Sequence, residues 1–352
     1  MNDQDWSKRE NQHKMIHGHH EYRPRYELTT DGKHIMALTT TQLLALIELP
    51  GVGKKTVLKI REKVNGYLDD QSLLDVLTAA KVLKKTPRGK VPFELEDLRA
   101  ANRQAEALLD ATSRLGFVAM SYDEPQFPEA LRQAVDDEGR WDPALVIFCH
   151  GNLELLERPG IAVIGTRRVH PTAVTAGKVL SAGFAARGLV VVSGLALGSD
   201  TAAHEGALAG AKASTIAVLG NGLDAIYPKE NQGLAQRIVD EGGLLLTEYP
   251  LGTKATRFTL VARDRLQAAL SRATVVLQTG INGGSYHASR ATVALHRPLY
   301  AVRYTDPTFD ASDDTAGNRD LMKNYGAQSI GGYKTKTEMN SALDALVAAL
   351  TS

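Results

Sequence analysis

The stretch SGLALGSDTAAHEGAL, residues 193–208, follows the apolar run LVVV and combines residue types that could bind phosphate. Its glycines would let backbone N–H groups approach an anion, and a helix that begins there would add the positive end of its dipole. Asp200 could instead cap this helix, and His204 is better suited to a structural hydrogen bond than to catalysis. The stretch therefore predicts a phosphate site, for either a small nucleotide or a nucleic-acid strand.

Strands and helices alternate from Ile161 onward, and this alternation positions the glycine-rich turns. IAVIG, LVVVSG and STIAVLG are short, continuous runs rich in Val, Ile and Leu, as expected for parallel strands covered on both faces. The repetition of strand, turn and helix predicts the α/β class, with a doubly wound, mostly parallel, Rossmann-like sheet. We expect one continuous helix over about residues 260–270.

Ligands of such sheets bind beyond the carboxyl ends of the strands. Glycines, hydroxyl groups and cations follow the predicted strands, a combination that favours a phosphate chain over an uncharged ligand. The turn Gly165-Thr166-Arg167 does not match the glycine fingerprint of dinucleotide sites, which argues against NAD. We expect the DNA- or phosphate-binding residues to be Gly165, Thr166, Arg167, Arg168, Ser193, Gly194, Gly198, Asp200, Asn221, Lys229, Arg263, Arg265, Gly283, Gly284 and Ser285.

A second phosphate-binding pattern lies earlier, in TTTQLLALIELPGVGKKTVLKIREKV, residues 39–64. Two short amphipathic segments flank the turn LPGVG, which resembles the helix-hairpin-helix motif that grips a nucleic-acid backbone. Within this turn we expect Gly51, Gly53, Lys54 and Lys55 to contact phosphate, with positive φ at Gly53. A hairpin used only for packing remains the alternative. The apolar positions that we expect to be buried are Leu43, Leu46, Ile47, Val57, Leu58 and Ile60.

Composition changes along the chain predict four parts: a mobile N-terminal arm (1–36), a small helical domain (37–113), a Rossmann-like core (114–338) and a C-terminal helix (339–352). The arm contains four closely spaced histidines, His13, His17, His19 and His20. No cysteine or carboxylate accompanies them at a spacing typical of metal motifs, so we expect no metal site.

Overall composition is that of an ordinary globular protein, with 43% hydrophobic and 23% charged residues among 352. The formal net charge is +1, so binding to nucleic acid would need a local basic patch. Cys149 is the only cysteine, which excludes an internal disulfide. The sequence has neither an apolar signal-peptide core nor a membrane-length apolar run, and we expect a cytoplasmic protein.

Several motifs in one order resemble the DNA-processing protein A (DprA/Smf) family over about residues 121–332. They are FPEALRQ, HGN, IAVIGTRR, SGLALGSDTAAHEGAL, TIAVLGNGLDAIYPKEN, LLLTEYPLGT, RDRLQAALS and GNRDLMKNYGA. The resemblance implies a non-enzymatic protein that binds and protects single-stranded DNA and loads a RecA-type recombinase during DNA uptake. It also implies a homodimer, with no cofactor, no metal and no membrane partner.

The sequence departs from the family pattern at positions near the predicted site. Arg263-Asp264-Arg265 stands where the family usually carries Arg-Asn-Arg, and Gln278 stands where an acid is usual. Asp264 would either suppress a phosphate contact of the two arginines or orient them through salt bridges.

Two other functions stay open at this point. A nucleotide-sensing module of the same fold group, for example in phage defence, would use the same glycine-rich strand ends. A nucleotide phosphoribohydrolase is disfavoured because residues 283–290, GGSYHASR, lack the acid expected at that helix start. Cys149 and His150 have no acid partner in view and do not indicate a nucleophilic pair.

Overall fold

A computed structural model of the chain describes residues 38–64, 68–79 and 92–351. All of these residues belong to one compact unit, Ala37–Ser352. The predicted arm, with its four histidines, lies outside the described residues. The domain boundaries drawn from composition stay predictions.

The N-terminal part of this unit is helical. Its helices are α1 (Thr40–Glu48), α2 (Lys54–Arg61), α3 (Asp70–Ala79) and α4 (Leu95–Arg114). A capping box between Thr39 and Gln42 begins α1, where the Thr39 side chain accepts a hydrogen bond from the Gln42 N–H. The apolar positions predicted for α1 and α2 are buried, except Ile47, whose side chain is 39% exposed in the last turn of α1.

The central sheet has nine strands within the described residues, in the spatial order β1-β2-β6-β5-β4-β3-β7-β8-β9. β1 pairs antiparallel with β2 and β2 with β6, and the other neighbours are parallel. This arrangement confirms the predicted fold class. The strands are β1 (Val118–Ser121), β2 (Val146–Gly151), β3 (Gly160–Ile164), β4 (Val190–Ser193), β5 (Thr215–Leu219), β6 (Leu244–Thr247), β7 (Ala273–Val276), β8 (Leu299–Arg303) and β9 (Gln328–Gly331).

Helices follow the strands as the alternation predicts, with one difference. The predicted helix over residues 260–270 is two short helices that meet at Arg263, and the first of them begins earlier, at a Thr256–Thr259 capping box. The helices are α5 (Glu129–Arg132), α6 (Pro171–Ala185), α7 (Ser199–Gly210), α8 (Gln232–Asp240), α9 (Arg257–Ala262), α10 (Asp264–Ala269), α11 (Ser285–Ala294), α12 (Pro307–Asp310), α13 (Ala316–Asn324) and α14 (Lys336–Thr351).

The helical part and the sheet share one hydrophobic cluster. Leu46 and Ile60 belong to the same buried cluster as Leu98, Phe148 of β2 and Leu219 of β5. The burial of these apolar side chains away from water holds the helices against β1 and β2. The LPGVG turn therefore has a fixed position relative to the sheet.

The strand order reverses between β3 and β7, since the chain runs outward from β3 in one direction through β4, β5 and β6 and in the other through β7, β8 and β9. Such a switch point leaves a crevice at the carboxyl ends of the strands. Among residues 38–64, 68–79 and 92–351, no helix combines the length and hydrophobicity that a membrane crossing requires.

Candidate functional site

The loops that leave the carboxyl ends of β3, β4 and β7 are joined by backbone hydrogen bonds at the switch point. The N–H of Thr166 donates to the carbonyl of Gln278 (2.8 Å), and the N–H of Ser199 donates to the carbonyl of Thr166 (3.1 Å). The side chain of Gln278 adds a second bond to the loop after β3 by accepting from the N–H of His170 (2.8 Å). The side-chain amide of Gln278 accepts this hydrogen bond as the carboxylate of an acid would, but it adds no negative charge.

The glycines at the first two turns serve contacts within the protein. A Cβ atom at Gly165 would lie 2.5 Å from Ser199 Oγ, and one at Gly194 would overlap the guanidinium of Arg263. Gly198 has a φ of 85° and leaves no room for a Cβ against the carbonyl of Arg167. These glycines make room for other atoms of the protein rather than for an exposed ligand.

In the turn after β7, the two glycines differ in how much space surrounds them. At Gly283 a Cβ would overlap Thr279 Oγ1, whereas at Gly284 no atom lies within 4 Å of that position. Ser285 begins α11, and its buried hydroxyl has no hydrogen-bond partner in the protein. Of the three residues of this turn that are predicted to bind phosphate, Gly284 is therefore the exposed one.

Three polar residues that are predicted to bind phosphate instead form buried hydrogen bonds with backbone groups of the protein. Ser193 Oγ donates to the carbonyl of Val163 (2.7 Å), and Asp200 Oδ2 accepts from the N–H of Ala196 (3.2 Å). Asn221 Nδ2 donates to the carbonyl of Gly222 (2.9 Å). All three side chains are buried, so they shape the turns and leave the surface to other residues.

His204 is also a structural residue. Its Nδ1 lies 2.7 Å from Thr215 Oγ1 on β5, and the ring is fully buried. Burial, together with the nearby Arg263 guanidinium, lowers the pKa of His204 to about 3. The imidazole is therefore neutral at physiological pH, as expected for a structural histidine.

Arg263 is enclosed beneath the turn after β4. Its side chain is 5% exposed, its Nε lies 2.9 Å from Asp264 Oδ1, and its Nη2 lies 3.8 Å from Asp200 Oδ2. Its Nη1 also donates to the carbonyl of Val218. The guanidinium is thus directed at protein acceptors, and we leave Arg263 out of the surface that could contact phosphate.

The cluster of Arg263, Asp200 and Asp264 places two carboxyl groups on one guanidinium. Burial raises the pKa of Asp264 to about 6, against the opposing effect of Arg263 and reinforced by the Asp200 carboxylate. Burial likewise raises the pKa of Asp200. With both acids ionised the buried cluster carries a net negative charge, which the Asn usual in the family would not create.

We expect Asp264→Asn to stabilise the fold at about pH 7.5. A carboxyl group whose folded-state pKa is raised contributes stability that is complete below about pH 4 and is lost as the pH rises through about 6. The neutral amide escapes this loss, which amounts to about 1 to 3 kcal/mol. Denaturant unfolding of both proteins at about pH 4.5 and 7.5 measures the difference; parallel pH profiles would contradict the role given to Asp264.

Arg265 is the centre of a second buried network. Its Nη1 and Nη2 each lie 2.6 Å from a carboxylate oxygen of Glu248, and its Nε lies 2.6 Å from Asp142 Oδ2. Burial alone would raise the pKa of Glu248, but Arg265 and Lys54 hold that pKa below its ordinary value. Arg265 therefore also lacks the exposure that a phosphate contact requires.

Lys54 extends this network into the helical part. Its Nζ lies 2.5 Å from Asp142 Oδ1 and 3.9 Å from Glu248 Oε2. Lys54 is predicted to contact phosphate, but its ammonium group is paired with the carboxylates of Asp142 and Glu248. Two cations and two anions thus join α2 to the loop before β2 and to the end of β6.

Three of the four residues that are predicted to contact phosphate at the LPGVG turn are exposed. Gly51, Gly53 and Lys55 are exposed. The expectation of positive φ at Gly53 is wrong: its φ is −99°, and Gly51 has the left-handed conformation at 75°. Only Gly51 needs glycine for its backbone, because a Cβ at Gly53 would meet no atom within 4 Å.

Free positive charge at the carboxyl edge comes from Arg167, Arg168 and Lys229. All three are exposed, and within the described part of the chain none forms an ion pair. Arg167 and Arg168 follow β3 directly. Lys229 is held near the turn after β4 because Asn231 Nδ2 donates to the carbonyl of Leu195 (2.8 Å).

Sequence reasoning missed two further cations of this edge. Lys254, on the segment between β6 and α9, and Arg257, the first residue of α9, are exposed, again without an ion pair among the described residues. Their signal was present, since they directly follow the LLLTEYPLGT motif at a strand end. Within the same described residues, no group of three or more His, Cys, Asp or Glu side chains could hold a metal ion.

The chain is similar to proteins of one family. The family described as DNA recombination-mediator protein A matches residues 118–341. The chain is 33% identical over 253 residues to a DNA processing protein DprA of Mycobacterium tuberculosis, covering 69% of this chain and 63% of that protein. It is 36% identical over 162 residues to DNA processing protein DprA of Streptococcus pneumoniae, covering 46% of this chain and 56% of that protein.

Two solved structures resemble the fold. The X-ray structure of DprA from Streptococcus pneumoniae matches with a TM-score of 0.65 and 28% identity, over 84% of this chain and 96% of that chain. A structure of DNA processing protein A from Helicobacter pylori matches with a TM-score of 0.55 and 28% identity, over 66% of this chain and 96% of that chain. The latter structure concerns the single-stranded DNA binding mode of the Helicobacter protein.

Proposed function

Because the chain belongs to the DNA recombination-mediator protein A family, we propose that it binds single-stranded DNA along the carboxyl edge of its sheet. One observation carries this proposal: Arg167, Arg168 and Lys229 lie exposed and without ion pairs in the described structure, on loops that adjoin the switch point. The single-stranded DNA binding mode described for the Helicobacter pylori relative supports the choice of ligand.

The residues assigned to this edge suit a polyphosphate backbone. Lys and Arg side chains neutralise phosphates without identifying bases, so we expect little sequence preference. Gly284 could add a backbone N–H where no side chain obstructs approach. We propose the exposed Gly51, Gly53 and Lys55 of the LPGVG turn as a second backbone contact.

We propose binding without catalysis. The groups that could act as acids or bases near the edge have structural partners: His204 with Thr215, Glu248 with Arg265, and Asp200 with the Ala196 N–H. The family supports a more specific role, in which the protein protects single-stranded DNA and loads a RecA-type recombinase, acting as a homodimer in the cytoplasm. Loading and dimerisation rest on the family alone, and the cytoplasmic location stays an expectation from the sequence.

A binding titration tests this function. Fluorescently labelled oligothymidylate and a duplex of equal length are titrated with the protein at two salt concentrations. We expect tighter binding to the single strand and a fall in affinity with salt, because counterions are released from each neutralised phosphate. Equal affinity for both forms, or displacement of the oligonucleotide by micromolar mononucleotide, would contradict the proposal and favour a nucleotide-sensing module.

A further inference from the structure

A large aromatic side chain lies in solvent at the carboxyl edge. Phe258, in the first turn of α9, is 85% exposed, and none of the residues of α9 is buried. Tyr227, in the loop after β5, is 45% exposed, and Leu197, in the turn after β4, is 40% exposed. Exposed apolar side chains that are grouped together, rather than scattered singly, mark surfaces that bind another molecule.

The three loops that carry these side chains adjoin one another. The N–H of Gly222 donates to the carbonyl of Thr253 (3.0 Å), which joins the loop after β5 to the segment before α9. Gly220 lies against Leu260 of α9, where an added Cβ would be 3.0 Å from Leu260 Cα. The bond from Asn231 to Leu195 joins the same loop to the turn after β4.

The charges around Phe258 indicate what covers it. Arg257 and Lys254 flank it in sequence, and Lys229 lies on the adjoining loop; all three are exposed and unpaired in the described structure. Two exposed acids, Asp224 and Glu230, lie on the loop after β5, and Asp224 accepts a hydrogen bond from the N–H of Gly252 (2.9 Å). The three cations outnumber these two acids. Positive charge beside exposed rings suits a polyanion that carries flat apolar groups.

We propose that Phe258 stacks against bases of bound single-stranded DNA, with Tyr227 as a second stacking surface and Lys254 and Arg257 on the flanking phosphates. This assignment rests on the proposed function and extends it to base contacts that the cations do not make. Stacking on an aromatic ring tolerates every base, since each base has a π-face. It also favours the single strand, because the faces of bases in a duplex are already stacked on their neighbours.

An oligonucleotide pair with and without bases tests this inference. The full chain and its Phe258→Ala variant are titrated with oligothymidylate and with an abasic oligonucleotide of equal length. We expect the variant to bind oligothymidylate about 5- to 150-fold more weakly, the range of one base–aromatic stack, and to bind the abasic strand like the unaltered protein. Phe258→Trp should retain most of the affinity. Leu115→Ala, at an exposed leucine on the C-cap of α4, is the matched control.

Each result separates this inference from the proposed function. If the unaltered protein binds oligothymidylate and Phe258→Ala binds it equally well, stacking is overturned while DNA binding stands. If the variant loses the same factor on both strands, Phe258 acts on the backbone or the fold and not on bases. If Phe258→Ala leaves DNA binding intact but abolishes self-association in sedimentation, the ring serves a protein contact. If the unaltered protein binds neither strand, both proposals fail together.

Discussion

Glu248→Ala is expected to lower the free energy of unfolding by about 3 to 5 kcal/mol, because it leaves the buried guanidinium of Arg265 short of its bidentate partner. Arg265 is 4% exposed as a whole residue, so water cannot replace the lost carboxylate. The network of Lys54, Arg265, Asp142 and Glu248 is balanced at two charges of each sign, and the substitution leaves an excess positive charge. Urea unfolding, followed by circular dichroism, measures the change.

Two variants control this prediction. Glu241→Ala breaks the exposed pair of Glu241 with Arg237 and should cost about 0.5 kcal/mol or less. Glu248→Ala combined with Arg265→Met restores charge balance and should recover part of the lost stability. If Glu248→Ala costs no more than Glu241→Ala, the buried network does not stabilise the junction between α2 and the sheet.

The double variant Arg167→Ala/Lys229→Ala is expected to bind oligothymidylate about 10- to 100-fold more weakly. Each substitution removes a cation from the proposed DNA surface, so the slope of log K against log salt should become less steep by about 1.4 for two phosphates. The unfolding free energy should stay within about 0.5 kcal/mol, because both side chains are exposed and unpaired among the described residues. Titration at several salt concentrations gives affinity and slope together.

Lys212→Ala/Lys323→Ala provides the matched control. Both lysines are exposed and, in the described structure, without an ion pair, and they precede β5 and β9 at the opposite edge of the sheet. This variant changes the net charge equally and should bind nearly as well as the unaltered protein. An equal loss of affinity in the two double variants would mean that net charge, and not the carboxyl edge, governs binding.

The sheet was predictable because its signal is local. The parallel strands β3 to β8 are short runs rich in Val, Ile and Leu, and each is followed by a turn and a helix. β9, with the sequence QSIG, lacks this signal and was not predicted. Family motifs such as IAVIGTRR fixed the identity of the fold, and the family match confirms it. The break at Arg263 was not predictable, since the helical pattern continues across residues 260–270.

The function of individual glycines and charges was less predictable. A glycine allows close approach, but the sequence does not say of what, and Gly194 and Gly198 accommodate the protein's own Arg263 and Arg167. In the same way, the sequence RDR suggests surface charge, whereas both arginines are buried. Arg263 pairs with the adjacent Asp264, and carboxylates from distant parts of the chain, Asp200 and Glu248, reach Arg263 and Arg265. Phe258 gave no sequence signal, because exposure depends on the tertiary packing of α9.

Hydrogen–deuterium exchange with and without oligothymidylate tests the central claim, that single-stranded DNA lies along the carboxyl edge. We predict slower exchange in the loops at this edge, residues 166–170, 195–198, 222–231 and 252–258. Exchange should be unchanged in the loops of the opposite edge, residues 186–189, 211–214 and 241–243. Protection confined to the opposite edge, or absent from all these loops at saturating DNA, would contradict the placement of the DNA.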